Sequence, residues 1–209
     1  GQILSGADDP SPIVFMENGL TFAADVVHGH KTGFFFDQRD NRAHVRALTA
    51  GRRVLDLFAY SGGFSVYAAA GGATSVTSVD VSAPALEAAA ANWALNRTDP
   101  RIAATAHHTV VADVFDYLAE AHDRKQQFDL LVVDPPTFAK SASEVERARA
   151  AYARLTRLAV QILRSGGMLV IASCSSRVTP DAFFDTVTRA VQQAGRPLIE
   201  MRRTGHALD

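Results

Sequence analysis

The chain has 209 residues with 21 basic and 22 acidic side chains, a net charge of -1 and 47% hydrophobic content. That balance fits one globular domain with a large core; it excludes a protein that coats nucleic acid by bulk charge, and no apolar run is long enough to span a bilayer. One cysteine, Cys174, excludes an internal disulfide and argues against structural zinc, and no export signal opens the chain, so a cytoplasmic protein with a single thiol is expected.

Residues 1–12 are polar, rich in Gly, Asp and Pro, and lack an initiator Met; they read as a linker remnant ahead of one domain over 13–209. Apolar segments 13–16 and 20–27 flank Asn18-Gly19, a dipeptide suited to a tight turn, and predict a hairpin within 13–30. His28 and His30 follow at strand spacing, but with no third ligand nearby they are read as loop residues and no metal is expected. Lys31, Thr32 and Gly33 make a polar loop, three Phe make a ledge, and Asp37 opens a helix to about Ala47. Three adjacent aromatics cannot face one core. Phe35 is the candidate to cover a purine or a cation, with plain packing as the alternative.

Residues 54–57 form a compact apolar run with Asp56 near its end, the habit of a parallel strand. Ser61, Gly62 and Gly63 turn the chain into a helix over 64–70, whose free N–H groups face whatever lies over the turn. A second strand over 76–79 ends in Asp80, a little under 20 residues past the glycines, where an acid can grip the hydroxyls of a ribose. This is the pattern of a nucleoside-cofactor site. Dinucleotide turns use G-x-G-x-x-G to seat a pyrophosphate, whereas this loop has two adjacent glycines and a carboxylate that would repel phosphate. Asp56 suits the ammonium of an amino-acid moiety, so S-adenosylmethionine is favoured over NAD; capping of the next turn is the alternative role.

Pro84 opens an Ala-rich helix to about Asn96, packed on the sheet and without chemistry of its own. A weak third strand over 107–111 leads to Asp113 and Val114, candidates for the adenine edge, with N-capping of a helix over 115–121 as the competing role for Asp113. The strongest strand, 128–133, runs into Asp134-Pro135-Pro136-Thr137-Phe138, an extended turn that projects Asp134 into the cleft at the strand ends. Residues 140–149 read as a charged, mobile lip, and 152–163 as an amphipathic helix capped by Gly166-Gly167. A fifth strand over 168–172 ends at Ser173-Cys174-Ser175-Ser176, a helix covers 180–194, and 198–202 reads as a sixth strand. Alternating strands and helices predict an α/β, doubly wound, mainly parallel sheet with an N-terminal β-hairpin.

The stretches HKTGFFFDQRDNR, VLDLFAYSGGF, VDVS, VVDPPTF and ASCSS, in this order from Ile13 onward, closely resemble the bacterial large-subunit ribosomal RNA cytosine-carbon-5 methyltransferases, class I S-adenosylmethionine enzymes with a Rossmann-like fold. The resemblance implies cofactor contacts from Lys31, Thr32, Phe35, Asp37, Asp56, Phe58, Tyr60, Ser61, Gly62, Gly63, Asp80, Val81, Asp113, Val114, Asp134 and Pro135. It implies catalytic roles for Cys174 and Asp134. In such proteins this domain follows an RNA-binding PUA domain and a small α+β domain, absent here, and the sheet carries a seventh, antiparallel strand that this sequence does not supply. Ribosomal RNA is the implied substrate, bound weakly by this chain alone, with Arg39, Arg42, Lys140 and Arg147 as a local basic rim. Homodimer formation is left open. A sister group that modifies guanine N7 shares the DPPTF stretch but lacks the cysteine at the position of Cys174.

Carbon 5 of cytosine is a poor nucleophile, so a thiolate must first add at carbon 6, with a proton or hydrogen bond at N3 stabilising the adduct. Neighbouring fourth and fifth strands, about 5 Å apart, would bring Asp134 and Cys174 to one pocket for that purpose. Two rivals stand beside this reading: methyl transfer to guanine N7 or a small molecule, and a cofactor-binding remnant without turnover.

Overall fold

The computed structural model describes residues 12–26 and 33–205. The segment before residue 12, with most of the expected linker, lies outside the described residues, as do His28, His30, Lys31 and Thr32.

The chain opens with the expected hairpin, β1 (Ile13–Glu17) and β2 (Leu20–Ala24), whose turn residues Asn18 and Gly19 both take positive φ. A 3-10 turn over Phe36–Gln38 precedes α1 (Arg39–Leu48). Asp37 lies in that turn, so helical structure begins about where the sequence places it, with the α-helix proper running from Arg39 to Leu48.

Five parallel strands follow: β3 (Arg53–Leu57), β4 (Ser75–Asp80), β5 (Ala106–Val111), β6 (Phe128–Val133) and β7 (Leu163–Ile171), in the order β5-β4-β3-β6-β7. The winding direction reverses between β3 and β6, which opens a crevice at their carboxyl ends. Between the strands run α2 (Gly63–Ala70), α3 (Ala83–Leu95), a short α4 (Pro100–Ala104) that the sequence reading omitted, α5 (Val114–Asp123) and α6 (Val145–Ile162). The last helix is α7 (Pro180–Gln193).

Strand alternation sorts the core into two layers. Val54, Val76, Leu130 and Val132 face α2, α3 and the hairpin, whereas Leu55, Leu57, Val79, Leu131 and Val133 face α5 and α6. The hairpin is fixed by two buried amides, Asn92 on the Ala-rich α3 and Asn96 at its C-cap. Asn92 Oδ1 accepts from Ala23 N–H at 2.7 Å, and Asn96 both accepts from Thr21 N–H at 2.8 Å and donates to its carbonyl at 2.6 Å. That helix, expected only to pack, thus docks a strand pair onto the domain.

Three other expectations fail for local reasons. The stretch 140–149 is no lip: Ser141 and Glu144 form a capping box over the 3-10 turn Ala142–Glu144, and α6 begins at Val145. Gly166 and Gly167 do not cap α6. They lie in β7 at a register break opposite β6, while Arg196 donates to the Val160 carbonyl at 2.7 Å and to that of Leu163, supplying the end of the helix from outside. Residues 198–202 form no strand among the described residues; Leu198 packs on the core but Ile199 is 90% exposed, and the segment pairs with no neighbour.

Candidate active site

The turn after β3 sits over the crevice and is held in an unusual shape. Phe58 and Tyr60 have φ of 62° and 48°, and Gly62 has φ of 77°. Positive φ at two large residues is uncommon and marks a turn held by its surroundings. The holding groups are the Asp80 carboxylate, which accepts from Tyr60 N–H and from Ser82 N–H at 2.9 Å each, and Asn92, which donates to the Ser61 carbonyl at 2.9 Å. Gly62 is required for two reasons apart from any ligand. Its backbone is left-handed, and a Cβ there would stand 2.8 Å from that of Ala89 on α3.

Asp56 lies beneath this turn, 1% exposed, and accepts from Ser65 Oγ at 2.6 Å. The chain of contacts continues from Ser65 Oγ to Ser78 Oγ at 2.7 Å and on to His107 Nε2 at 2.9 Å; the His107 ring stacks on Trp93 with centroids 4.0 Å apart. Burial pushes the Asp56 carboxyl up to about 7, the charges of Asp134 and Asp80 add to the rise, and the Ser65 hydroxyl offsets part of it. Burial moves His107 the other way, down to about 4, helped by His108 and Arg97.

The three phenylalanines separate as their adjacency requires. Phe34 is buried against Phe15 and Phe22, Phe36 is exposed, and Phe35 meets Tyr60 edge-on with ring centroids 5.4 Å apart. Arg42 sets this strap. It is 3% exposed, grips Glu17 through two contacts of 2.8 Å, and donates to the Phe35 carbonyl at 2.8 Å. Arg42 is therefore not part of a basic rim, whereas Lys140 and Arg147 are exposed and Arg39 is half-buried. Nothing in the local spacing ties Arg42 to Glu17 on a different element.

At the ends of β4 and β5, Val81 is exposed and Val114 buried. Asp113 caps α5, accepting from Phe115 N–H at 2.8 Å and Asp116 N–H at 3.3 Å. Across the crevice, Asp134 N–H reaches the Leu57 carbonyl at 3.5 Å, and Gln38 Nε2 donates to Asp134 Oδ1 at 3.4 Å. Asn41 Nδ2 in turn donates to Gln38 Oε1 at 2.7 Å and so fixes which end of that amide faces the acid. Gln38 and Asn41 were missed by sequence reasoning, although both lie in the stretch FDQRDNR. Because β6 and β7 pair in parallel, Cys174 comes beside this turn: the exposed thiol donates to the Pro135 carbonyl at 3.6 Å.

Carboxyl groups at the tips of three adjacent strands, with Asp134 and Asp80 close enough to add to the rise of the buried Asp56, suit a ligand with cationic groups and a ribose diol and oppose a pyrophosphate. A family model described as S-adenosylmethionine-dependent methyltransferase matches residues 3–196. The chain belongs to that family. The methyltransferase is 46% identical over 209 residues to a Deinococcus radiodurans protein named ribosomal RNA large subunit methyltransferase, covering 100% of this chain and 50% of the relative. It is 41% identical over 207 residues to ribosomal RNA large subunit methyltransferase I of Photobacterium profundum, covering 99% and 51%. The chain thus spans about half the length of the curated relatives it matches. Among solved structures, a methyltransferase from Streptococcus mutans matches with a TM-score of 0.77 and 30% identity over 90% of this chain and 48% of that one, and a methyltransferase complexed with S-adenosylhomocysteine matches equally. The cofactor is accordingly S-adenosylmethionine, and the fold is the Rossmann-like α/β sheet with an added hairpin. Among the described residues no helix is long and apolar enough to cross a membrane.

Proposed function

We propose that this methyltransferase domain forms 5-methylcytosine in large-subunit ribosomal RNA through a covalent adduct of Cys174. The observation that carries the reading is the meeting of Cys174 with the Asp134-Pro135 turn at the strand ends, Sγ 3.6 Å from the Pro135 carbonyl. The printed names of the relatives support the RNA substrate, and the chemistry of a lone exposed thiol in a methyltransferase crevice supports cytosine.

On this reading Asp80 holds the ribose, and Phe35, Tyr60, Val81, Asp113 and Val114 border the remainder of the cofactor. Asp56, buried beneath the turn, is placed by this reading near the amino-acid end of the cofactor, whose ammonium would favour its ionised form. Asp37 retains its proposed contact from the 3-10 turn, and Lys31 and Thr32 remain proposed contacts. When bound, S-adenosylmethionine supplies an electrophilic methyl group on a sulfonium. Cys174, as thiolate, adds to carbon 6 of the base and pushes electron density onto carbon 5. Asp134 stabilises that adduct by a proton or hydrogen bond at N3, with Gln38 fixing the carboxyl's direction. Once carbon 5 carries its methyl group, solvent water takes its proton, the 5,6 double bond re-forms as the carbon–sulfur bond breaks, Asp134 takes back any proton given to N3, and the thiolate is released.

Methyl transfer to an amine held by the Pro135 carbonyl is the rival reading, and it leaves the exposed Cys174 thiol beside that oxygen without a role. The test is incubation with labelled cofactor and ribosomal RNA, digestion to nucleosides and chromatography. Label in 5-methylcytidine is the expected result; label in 7-methylguanosine, or only in small molecules, would refute the assignment.

A further inference from the structure

Tyr152 lies inside the domain, away from the crevice, yet it touches both segments that form the catalytic mouth. It stands on α6 with no solvent exposure. Its ring meets Phe138 edge-on, centroids 5.0 Å apart, and Phe183 on α7 in the same way at 5.1 Å. Phe138 closes the turn that begins at Asp134-Pro135. The Tyr152 hydroxyl bonds Ser173 Oγ at 2.8 Å, and Ser173 immediately precedes Cys174.

On the far side of the thiol the turn is also tied. Ser173 Oγ accepts from Ser175 N–H at 3.3 Å, and Ser175 Oγ accepts from Arg177 N–H and Val178 N–H at 3.3 Å each. The backbone before it is pinned by Ala172 N–H on the Val133 carbonyl at 2.9 Å. The exposed thiol therefore rides on a short arch that the Tyr152 hydroxyl links to the helical layer. A phenylalanine would fill the same space and contribute the same ring contacts, so packing alone does not account for the hydroxyl.

We propose that Tyr152 is a positioning residue for Cys174: through Phe138 and Ser173 it holds the Pro135 turn and the cysteine arch in one fixed relation and so sets the thiol against the Pro135 carbonyl. Electrostatics agree with this closeness. Burial pushes the phenol above its ordinary value, the Ser173 hydroxyl draws it partly back, and the charges of Cys174 and Asp134 push it up again, so both catalytic groups are sensed at Tyr152. The phenol stays neutral and acts by geometry. The consequence for catalysis rests on the cysteine-adduct reading above; the consequence for the thiol does not.

The chain has a single cysteine, so alkylation by iodoacetamide reports Cys174 alone. Tyr152→Phe keeps the ring contacts and removes one hydroxyl. The expected result is a shift of the alkylation pH profile to lower pH, because a thiol released from the Pro135 carbonyl ionises more readily. With it, kcat for methylation falls about tenfold, the kinetic equivalent of one buried hydrogen bond, while cofactor Kd stays unchanged. Ser173→Ala, which acts from the other end of the same bond, should give the same shift, and the double variant no more than either single one. Unchanged alkylation profiles in Tyr152→Phe and Ser173→Ala would overturn the proposal, as would shifts that simply add. A shared, non-additive shift in a protein that methylates no cytosine would uphold the role of Tyr152 and refute the cysteine-adduct reading instead.

Discussion

The Asp80 carboxylate accepts the Tyr60 N–H at 2.9 Å, so the acid at the tip of β4 also shapes the turn at the tip of β3. A residue proposed to bind ribose that also fixes the surrounding loop should be sensitive to more than the loss of one contact. Asp80→Ala is expected to weaken S-adenosylmethionine by roughly a hundredfold, the equivalent of about 3 kcal/mol, and Asp80→Asn by less, since it keeps one acceptor oxygen. Titration calorimetry reads both. Wild-type affinity in the Ala variant would remove Asp80 from the site.

Glu17 and Arg42 form a bidentate pair in the interior, and Glu17 Oε1 also accepts from the Tyr67 hydroxyl at 2.9 Å. Removing one partner leaves a buried charge uncompensated. Glu17→Ala should cost on the order of 3–5 kcal/mol in urea denaturation, and adding Arg42→Met should recover part of that loss rather than increase it. A single-variant loss below about 1 kcal/mol would show that water reaches the pair and that its interior placement is wrong.

Asp56 and His107 should impose opposite pH dependences on stability. Between 3.8 and about 7 the folded chain keeps a proton on Asp56 that the unfolded chain releases, so stability falls as pH rises, by at most about 1.4 kcal/mol per unit. Between about 4 and 6.5 the unfolded chain binds a proton on His107 that the folded chain refuses, so stability rises with pH. Over that shared window the two effects largely cancel. Asp56→Asn, which retains an acceptor for Ser65, should show a rising slope relative to wild type, and His107→Gln a falling one. Urea midpoints at intervals from pH 4.5 to 6.5 measure this; slopes parallel to wild type in both variants would contradict the buried placement of the pair.

The sheet was legible because β3, β4 and β6 announce themselves by apolar runs that end in acids at the crevice, and the hairpin because Asn18-Gly19 admits few other turns. The start of α6 was also written in the sequence, as Ser141 and Glu144 at capping-box spacing, but the charge of the segment masked it. Its end was not legible, because the group that closes it, Arg196, comes from 33 residues beyond Leu163. The fate of Arg42 depended on Glu17, 25 residues away on another element, and no local pattern signals such a pair. Residues 198–202 had the composition of a strand but, among the described residues, no neighbour to complete a ladder. At the site, residue types pointed to Asp80, Asp134 and Cys174, whereas Gln38 and Asn41 beside Asp134, and Tyr152, proposed to position Cys174, act through side-chain bonds that only the folded geometry brings together.

The covalent role of Cys174 is tested most directly by RNA carrying 5-fluorocytosine at the target position, incubated with the enzyme and S-adenosylmethionine and run on a denaturing gel. Fluorine at carbon 5 cannot leave as a proton, so the adduct at carbon 6 should persist as a protein–RNA band in the wild type and be absent in Cys174→Ala. That variant should keep wild-type cofactor affinity and lose methyl transfer by several orders of magnitude. A wild-type enzyme that methylates cytosine without forming the band, or a Cys174→Ala variant that methylates at the same rate, would contradict covalent catalysis by this thiol.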